Sequence, residues 1–240
     1  MEYREEQVRT ALLLGTKALE KLASAKVAVF GVGGVGGYVC EALARAGVGS
    51  MDLFDRDTVA LSNINRQIIA THSTLGRAKV DVMRERILDI FPDCQVRTYP
   101  VFYLPENADE YPLDGYSCVV DAIDTVTAKI ELAVRANRCG VPLISAMGAG
   151  NKLDPTRFCV TDLFKTSGCP LARVMRRELR ARGIRHLTVV YSTESAAPHP
   201  EDAPHPETDG GKVSPGSLPY VPGVAGLILA GEVVRQIIAG

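Results

Sequence analysis

Several features that would place the chain in a large known class are missing. No two of its six cysteines form a C-x-x-C pair, which argues against a Cys₄ zinc site. Most of Cys40, Cys94, Cys118, Cys139, Cys159 and Cys169 sit inside apolar runs, and no signal peptide is visible. Reduced, buried thiols in a cytoplasmic protein are the expectation. Net charge is lacking too: 27 basic residues against 28 acidic ones leave −1. Any contact with nucleic acid or a membrane surface therefore needs a local patch. There is no internal repeat. No run is expected to span a bilayer, since the best candidate, Val221 to Ala239, carries Glu232 and Arg235. A chain of 240 residues without these features fits one α/β domain with a large core.

What is present begins at Val27. The apolar run Val27 to Phe30 reads as a buried strand. Gly31-Val32-Gly33-Gly34-Val35-Gly36 follows and fits G-x-G-x-x-G. A helical pattern carries Val39, Leu43 and Ala46 on one face, and a second strand, Met51 to Phe54, ends at Asp55. Strand, glycine turn, helix, strand and acid is the order of a nucleotide-binding βαβ unit. Gly31, Gly33, Gly34 and Gly36 let backbone approach a phosphate, and the helix start offers N–H groups and partial positive charge. Asp55 lies about twenty residues on, where a carboxylate can accept ribose hydroxyls.

The segment DRDTVALSNINRQ (55–67) has no role in a hydride-transfer enzyme. Asn63 and Arg66 are three apart and are expected on one face of a short helix. Lys79 opens the next helix, in which Val80, Met83, Ile87 and Ile90 recur at helical spacing. Asn63, Arg66 and Lys79 could therefore meet at a triphosphate. Asp124 stands just past the strand Ser117 to Ile123, where ligands bind in open parallel sheets. It is a candidate ligand for Mg²⁺ against phosphates and also a candidate N-cap for the following helix.

Further strands are expected at Gln95 to Val101, Val141 to Ala146, Phe158 to Leu163 and Leu187 to Ser192. Between the last two runs the helical stretch PLARVMRRELRARGIRH, with Arg173, Arg176, Arg177, Arg180, Arg182 and Arg185. It is the one dense basic patch, open either to an RNA backbone or to solvent alone. Cys169, ahead of Pro170 at that helix start, is a candidate thiol nucleophile. The expected organisation is a single domain over 1–240. It has an N-terminal helical extension (1–25) in which Leu12, Leu13, Leu19 and Leu22 dock on the body. A mobile loop (195–219) and an apolar C-terminal helix (221–239) follow.

Taken together and in order, GVGGVGGYVCEALARAGVG, DRDTVALSNINRQ, GRAKVDVMRERI and VVDAIDT resemble the ATP-dependent adenylating enzymes related to the ubiquitin-activating enzyme. The resemblance implies a Rossmann-like, doubly wound, mostly parallel sheet with antiparallel strands added in the C-terminal half. It implies that Asp55 binds the ATP ribose, that Asn63, Arg66 and Lys79 hold the phosphates, and that Asp124 ligates Mg²⁺. Arg9, in RTALLLG, would reach into a partner subunit's site, so a homodimer is implied. The second half, GAGNKLDPTRFCVTDLFKTSGCPLARVMRRELRARGI, is similar to the branch of that family acting on threonylcarbamoyladenosine in tRNA. That branch adenylates the modified base's carboxylate and closes its side chain into a ring. The arginine patch would then suit the tRNA backbone. A monovalent cation near Gly148 to Gly150 and a sulfur-relay partner protein are left open. The alternative within the family is activation of a ubiquitin-like or sulfur-carrier protein. Outside it, the alternatives are a non-catalytic scaffold that kept the pocket and a nicotinamide dehydrogenase.

Overall fold

A computed structural model describes residues 5–204, 208–209, 212–213 and 215–240, with backbone alone at 208–209 and 212–213. Two short helices lead in, α1 (Val8–Leu14) and α2 (Thr16–Ser24). The body then alternates strand and helix: β1 (Lys26–Phe30), α3 (Gly36–Ala46), β2 (Ser50–Phe54), α4 (Lys79–Ile90), β3 (Gln95–Tyr99), β4 (Cys118–Asp121), α5 (Val126–Cys139) and β5 (Leu143–Ala146). The second half adds β6 (Phe158–Asp162), α6 (Pro170–Ala181), β7 (Thr188–Ser192) and α7 (Val221–Ala239). A two-residue ribbon, Thr208–Asp209 with Lys212–Val213, lies outside the main sheet.

The seven strands run in the order β3-β2-β1-β4-β5-β7-β6. Every neighbouring pair is parallel except β6 with β7. This is the expected Rossmann-like sheet with an antiparallel strand from the C-terminal half. Both faces of the central strands are covered, so β1, β4 and β5 are largely apolar, whereas the edge strand β3 (QVRTY) is partly exposed. In β1, Val27 and Val29 face the core under α3, α4 and α7, while Ala28 and Phe30 face the core under α5 and α6. That is the two-residue period of a strand. Each fully buried Val, Leu or Phe contributes roughly 1.5–3 kcal/mol. The strand order reverses between β1 and β4, and a crevice opens there at the carboxyl ends.

Two expectations are corrected by the packing. Leu19 and Leu22 dock α2 on the body, but Leu12 and Leu13 do not dock: they are 81% and 86% exposed, and α1 buries no residue. The helix Val221–Ala239 does meet the length and hydropathy of a membrane span, because two charged residues leave its most apolar window at a mean hydropathy of 1.5. Its buried side, including Val221, Ala225, Leu229, Ala230 and Val233, belongs to the core that α3 and the sheet share. Of the loop 195–219, residues 205–207, 210–211 and 214 lie outside the described residues. The described parts are tied to Asn151, whose N–H donates to the Gly216 carbonyl (2.8 Å) and whose carbonyl accepts the Ala197 N–H (2.8 Å). The Asn151 side chain accepts the Gly216 N–H at 2.6 Å.

Candidate active site

A cleft of about 650 Å³ sits over the carboxyl ends of β1, β2 and β4. Its floor is the glycine turn. Gly31 has a left-handed backbone (φ +89°), and a Cβ there would lie 2.6 Å from the Ala122 carbonyl oxygen. Gly33 and Gly34 line the cleft. Gly36 does not line it and serves the packing instead. A Cβ on Gly36 would fall 1.8 Å from the Gly31 carbonyl oxygen, so its bare Cα lets α3 close on the turn. No side chain caps the start of α3. The helix end is thus left for an anion, as a phosphate site requires.

Asp55, at the end of β2, stitches the turn together. One carboxylate oxygen accepts the Val32 N–H at 2.7 Å and the other accepts the Asp57 N–H at 2.9 Å. Burial lifts its pKa above the ordinary range, against the nearby Lys79 charge and these two donors. The carboxylate still lines the cleft, where ribose hydroxyls can reach it. The segment leaving β3, Val101 to Tyr103, forms the apolar wall, and the Arg56 guanidinium lies 4.0 Å from the Phe102 ring centre.

Asn63, Arg66 and Lys79 all line the cleft, as expected. The local structure differs from one short helix: a 3₁₀ turn, Leu61–Asn63, ends at Asn63, and Arg66 follows in a turn. The Asn63 carbonyl accepts the Arg66 and Gln67 N–H groups, and its side chain accepts the Ala60 N–H at 3.1 Å. Arg66 is steadied by the Ser62 carbonyl and the Asn65 side chain, both at 3.0 Å. Lys79 is 6% exposed and its Nζ donates to Asp57 at 2.8 Å. Its N–H also bonds the Asp57 carbonyl, and a bridge between Thr58 and Ala78 clips the two segments together. Asp57 is a site residue that the sequence alone did not single out. The signal was present in the D-x-D spacing with Asp55, but its pairing with a lysine 22 positions away is a matter of three-dimensional structure.

Asp124 is exposed and lines the same cleft. It is not the cap of α5: Thr125 holds the N-cap position. Among the described residues the Asp124 carboxylate accepts only a long bond from the Thr125 hydroxyl (3.4 Å), and Lys79 and Arg66 line the same cleft. A single carboxylate with phosphate oxygens is a suitable donor set for Mg²⁺. Ala149 and Gly150 complete the rim next to Pro215 and Ser217. Beneath Asp124 lies a second feature with no clear signal in the sequence. Asp121 and Lys129 form a fully buried ion pair (2.9 Å, both 0% exposed), and Ser145 donates to the same carboxylate at 2.5 Å.

The remaining candidates stand apart from the cleft. Arg9 is exposed on α1 and is not a lining residue within one chain. None of the six arginines of the basic stretch lines it either. Four of them have local partners. Arg176 bonds Thr166, Arg177 and Arg182 pair with Glu178, and Arg180 stacks on Phe164. Arg173 and Arg185 are exposed, with no ion pair among the described residues. Cys169 is 7% exposed, and its sulfur caps α6 by accepting the Ala172 N–H. Cys169 is not among the residues that line the cleft. Cys169→Ser keeps an acceptor at that position, so AMP formation is expected to stay within about twofold of the parent. A loss of turnover in a steady-state assay would restore the thiol to the mechanism.

A glycine turn under a bare helix end, with Asp55, two cations and Asp124 lining the cleft above it, has the make-up of a nucleotide-binding site. Residues 5–239 match the ThiF family, and the chain belongs to it. It is 43% identical over 237 residues to the tRNA threonylcarbamoyladenosine dehydratase of Bacillus subtilis (strain 168), covering 96% of this chain and 93% of that protein. It is 41% identical over 216 residues to the protein of the same name from Escherichia coli (strain K12), covering 87% and 78%. The crystal structure of the E. coli tRNA N6-threonylcarbamoyladenosine dehydratase, TcdA, in complex with ATP superimposes with a TM-score of 0.88. That match has 37% identity and covers 98% of this chain and 95% of the other.

Proposed function

We propose that this protein uses ATP to dehydrate the threonylcarbamoyl side chain of a modified adenosine in tRNA. The ATP half rests on one observation: Asn63, Arg66, Lys79 and Asp124 converge on the open side of the glycine turn. The tRNA half rests on the similarity to dehydratases of that name over nearly the whole chain. The substrate carboxylate attacks the α-phosphorus and pyrophosphate leaves. A heteroatom of the carbamoyl group then attacks the activated carbonyl, AMP departs with the former carboxylate oxygen, and one proton is released. The oxygen of the lost water thus ends on AMP.

This chain's residues supply charge and position. Negative charge builds on the phosphates during attack, and Lys79 and Arg66 offset it from positions fixed before the substrate arrives. Asn63 donates through its side-chain amide. Mg²⁺, held by Asp124, would neutralise the leaving pyrophosphate. Asp55 fixes the ribose, so the α-phosphorus is set over the glycine turn. A homodimer fits the outside of the molecule: α1 exposes Leu12, Leu13 and Leu14 beside Arg9, an apolar strip that a second copy would cover.

The direct test is nucleoside mass spectrometry of threonylcarbamoyladenosine-bearing tRNA after incubation with the protein, ATP and Mg²⁺. Loss of one water from that nucleoside, only with ATP, is the expected result. An unchanged nucleoside, with ATP binding intact, would turn the search to a carrier protein. Charge reversal at the two unpaired arginines tests the landing surface. Arg173→Glu with Arg185→Glu is expected to raise the KM for tRNA about tenfold at low salt and to leave the KM for ATP unchanged. If the tRNA KM does not move, the patch is a solvated helix face.

A further inference from the structure

Adenylation as derived so far makes no use of Lys129, yet it is one of the largest fully buried side chains in the molecule. It stands on α5 among Ala128, Leu132, Ala133 and Ala136, all buried. Its Nζ meets the Asp121 carboxylate at 2.9 Å and the Ile123 carbonyl at 3.1 Å. Asp121 in turn accepts the Ile123 N–H at 3.2 Å through its other oxygen. The ion pair therefore holds Ile123 by both of its peptide groups. On the other side, the Ala122 carbonyl packs on Gly31 so closely that no Cβ fits between them, and the Ala122 N–H bonds the Phe30 carbonyl at 2.8 Å. Residues 122–123 are thus wedged between a buried charge pair below and the glycine turn above. Asp124 is the next residue.

We propose that the Lys129–Asp121 pair, with Ser145, is a positioning element for adenylation. It sets the distance and angle between the Asp124 carboxylate and the phosphate turn. The inference rests on the reading of Asp124 as the carboxylate that binds Mg²⁺. Stability alone is a poor reason for such a pair. Two charges have been removed from water, and an apolar pair of similar volume commonly serves a core as well or better. What an apolar pair cannot do is hold a peptide N–H and its carbonyl at once. Ser145 ties the same carboxylate to β5, which leads into the Ala149–Gly150 rim, so three elements of the cleft share one anchor. A small displacement of a reacting or charge-stabilising group is enough to cost a large part of a rate.

The test compares four variants of the full chain: Lys129→Met with Asp121→Asn together, Lys129→Met alone, Lys129→Arg, and Asp124→Asn as the control. Thermal unfolding, ATP binding in EDTA, and AMP formation against Mg²⁺ concentration are measured for each. The double variant removes both charges and leaves no bare one, so it is expected to fold and to bind metal-free ATP as the parent does. Its kcat is expected to fall about tenfold and its half-saturating Mg²⁺ to rise about tenfold, with Lys129→Arg recovering part of both. A double variant that loses its fold assigns the pair to stability and overturns the proposal. So does one that folds with the parent's Mg²⁺ dependence while Asp124→Asn shifts it. If Asp124→Asn itself leaves the Mg²⁺ dependence untouched, the metal reading fails and the proposal fails with it.

Discussion

Lys79→Met is expected to lower AMP formation by about 10²-fold or more while the protein stays folded. The lysine is almost fully buried and points its ammonium at the cleft, anchored by Asp57 at 2.8 Å. A cation held in place before the substrate arrives needs no reorganisation as charge develops on the phosphates, and the partly enclosed cleft strengthens its field. The cost to stability should be small because Asp57 keeps 55% of its side-chain surface in water and remains solvated when the lysine is gone. Arg66→Ala should act in the same direction, with a similar loss of turnover. Asp57→Asn should give a smaller loss, because it loosens Lys79 without removing it. Initial rates of AMP release, with melting temperatures alongside, separate these cases. Near-parent turnover in Lys79→Met would remove the lysine from the chemistry. A collapse in melting temperature would show instead that the Lys79–Asp57 clip holds the fold.

The glycine turn supplies the second large effect, and it divides by position. Gly36→Ala would place a methyl carbon 1.8 Å from the Gly31 carbonyl oxygen, a backbone atom that cannot swing aside. Relief requires α3 to back away from the turn, and the expected cost is about 3 kcal/mol or more, at the upper end for overpacking. Gly33→Ala is the contrast. Its Cβ would meet only the Gln67 amide at 3.8 Å, so the fold should survive. Gly33 lines the cleft, however, and a methyl there intrudes on the close approach of a phosphate. Thermal unfolding with and without ATP should therefore show a low melting temperature for Gly36→Ala. Gly33→Ala should melt normally but lose its ATP-induced rise. Equal behaviour of the two variants would contradict this division.

The central strands were legible because both of their faces are covered, so β1, β2, β4, β5 and β7 are short, largely apolar runs with clear ends. The nucleotide cleft was legible because its parts sit at strand ends, where position in the chain nearly fixes position in space. Asp55 and Asp124 line the cleft for that reason, while Lys79, at the start of α4, is brought there by its clip to Asp57. What failed was local detail set by side-chain packing. Thr125, not Asp124, takes the N-cap, and the 63–66 segment is a 3₁₀ turn followed by an irregular one. Leu12 and Leu13 have the periodicity of a docked helix but find nothing in one chain to dock on. Lys129 was invisible for a related reason. A lysine inside a helical pattern reads as solvent-facing, and only the fold reveals Asp121 beneath it. Among the arginines, composition marks a patch, but only the structure separates Arg176, bonded to Thr166, from unpaired Arg173 and Arg185.

The packing of α7 against α3 has a consequence for how the protein is made. Gly226 lies so close to Val35 that a Cβ would come within 2.4 Å of that residue's carbonyl oxygen, and Gly223 rests on the Tyr38 ring. Val35 and Tyr38 belong to the start of the helix whose bare end faces the cleft. The wall that steadies an element near residue 35 is therefore supplied by residues beyond 220. During synthesis the glycine turn lacks this α7 wall until nearly two hundred further residues have been added, at roughly 5–20 residues per second. The nascent chain must wait on the order of ten seconds or more before its ATP cleft can close, with the part of α3 that α7 covers exposed throughout.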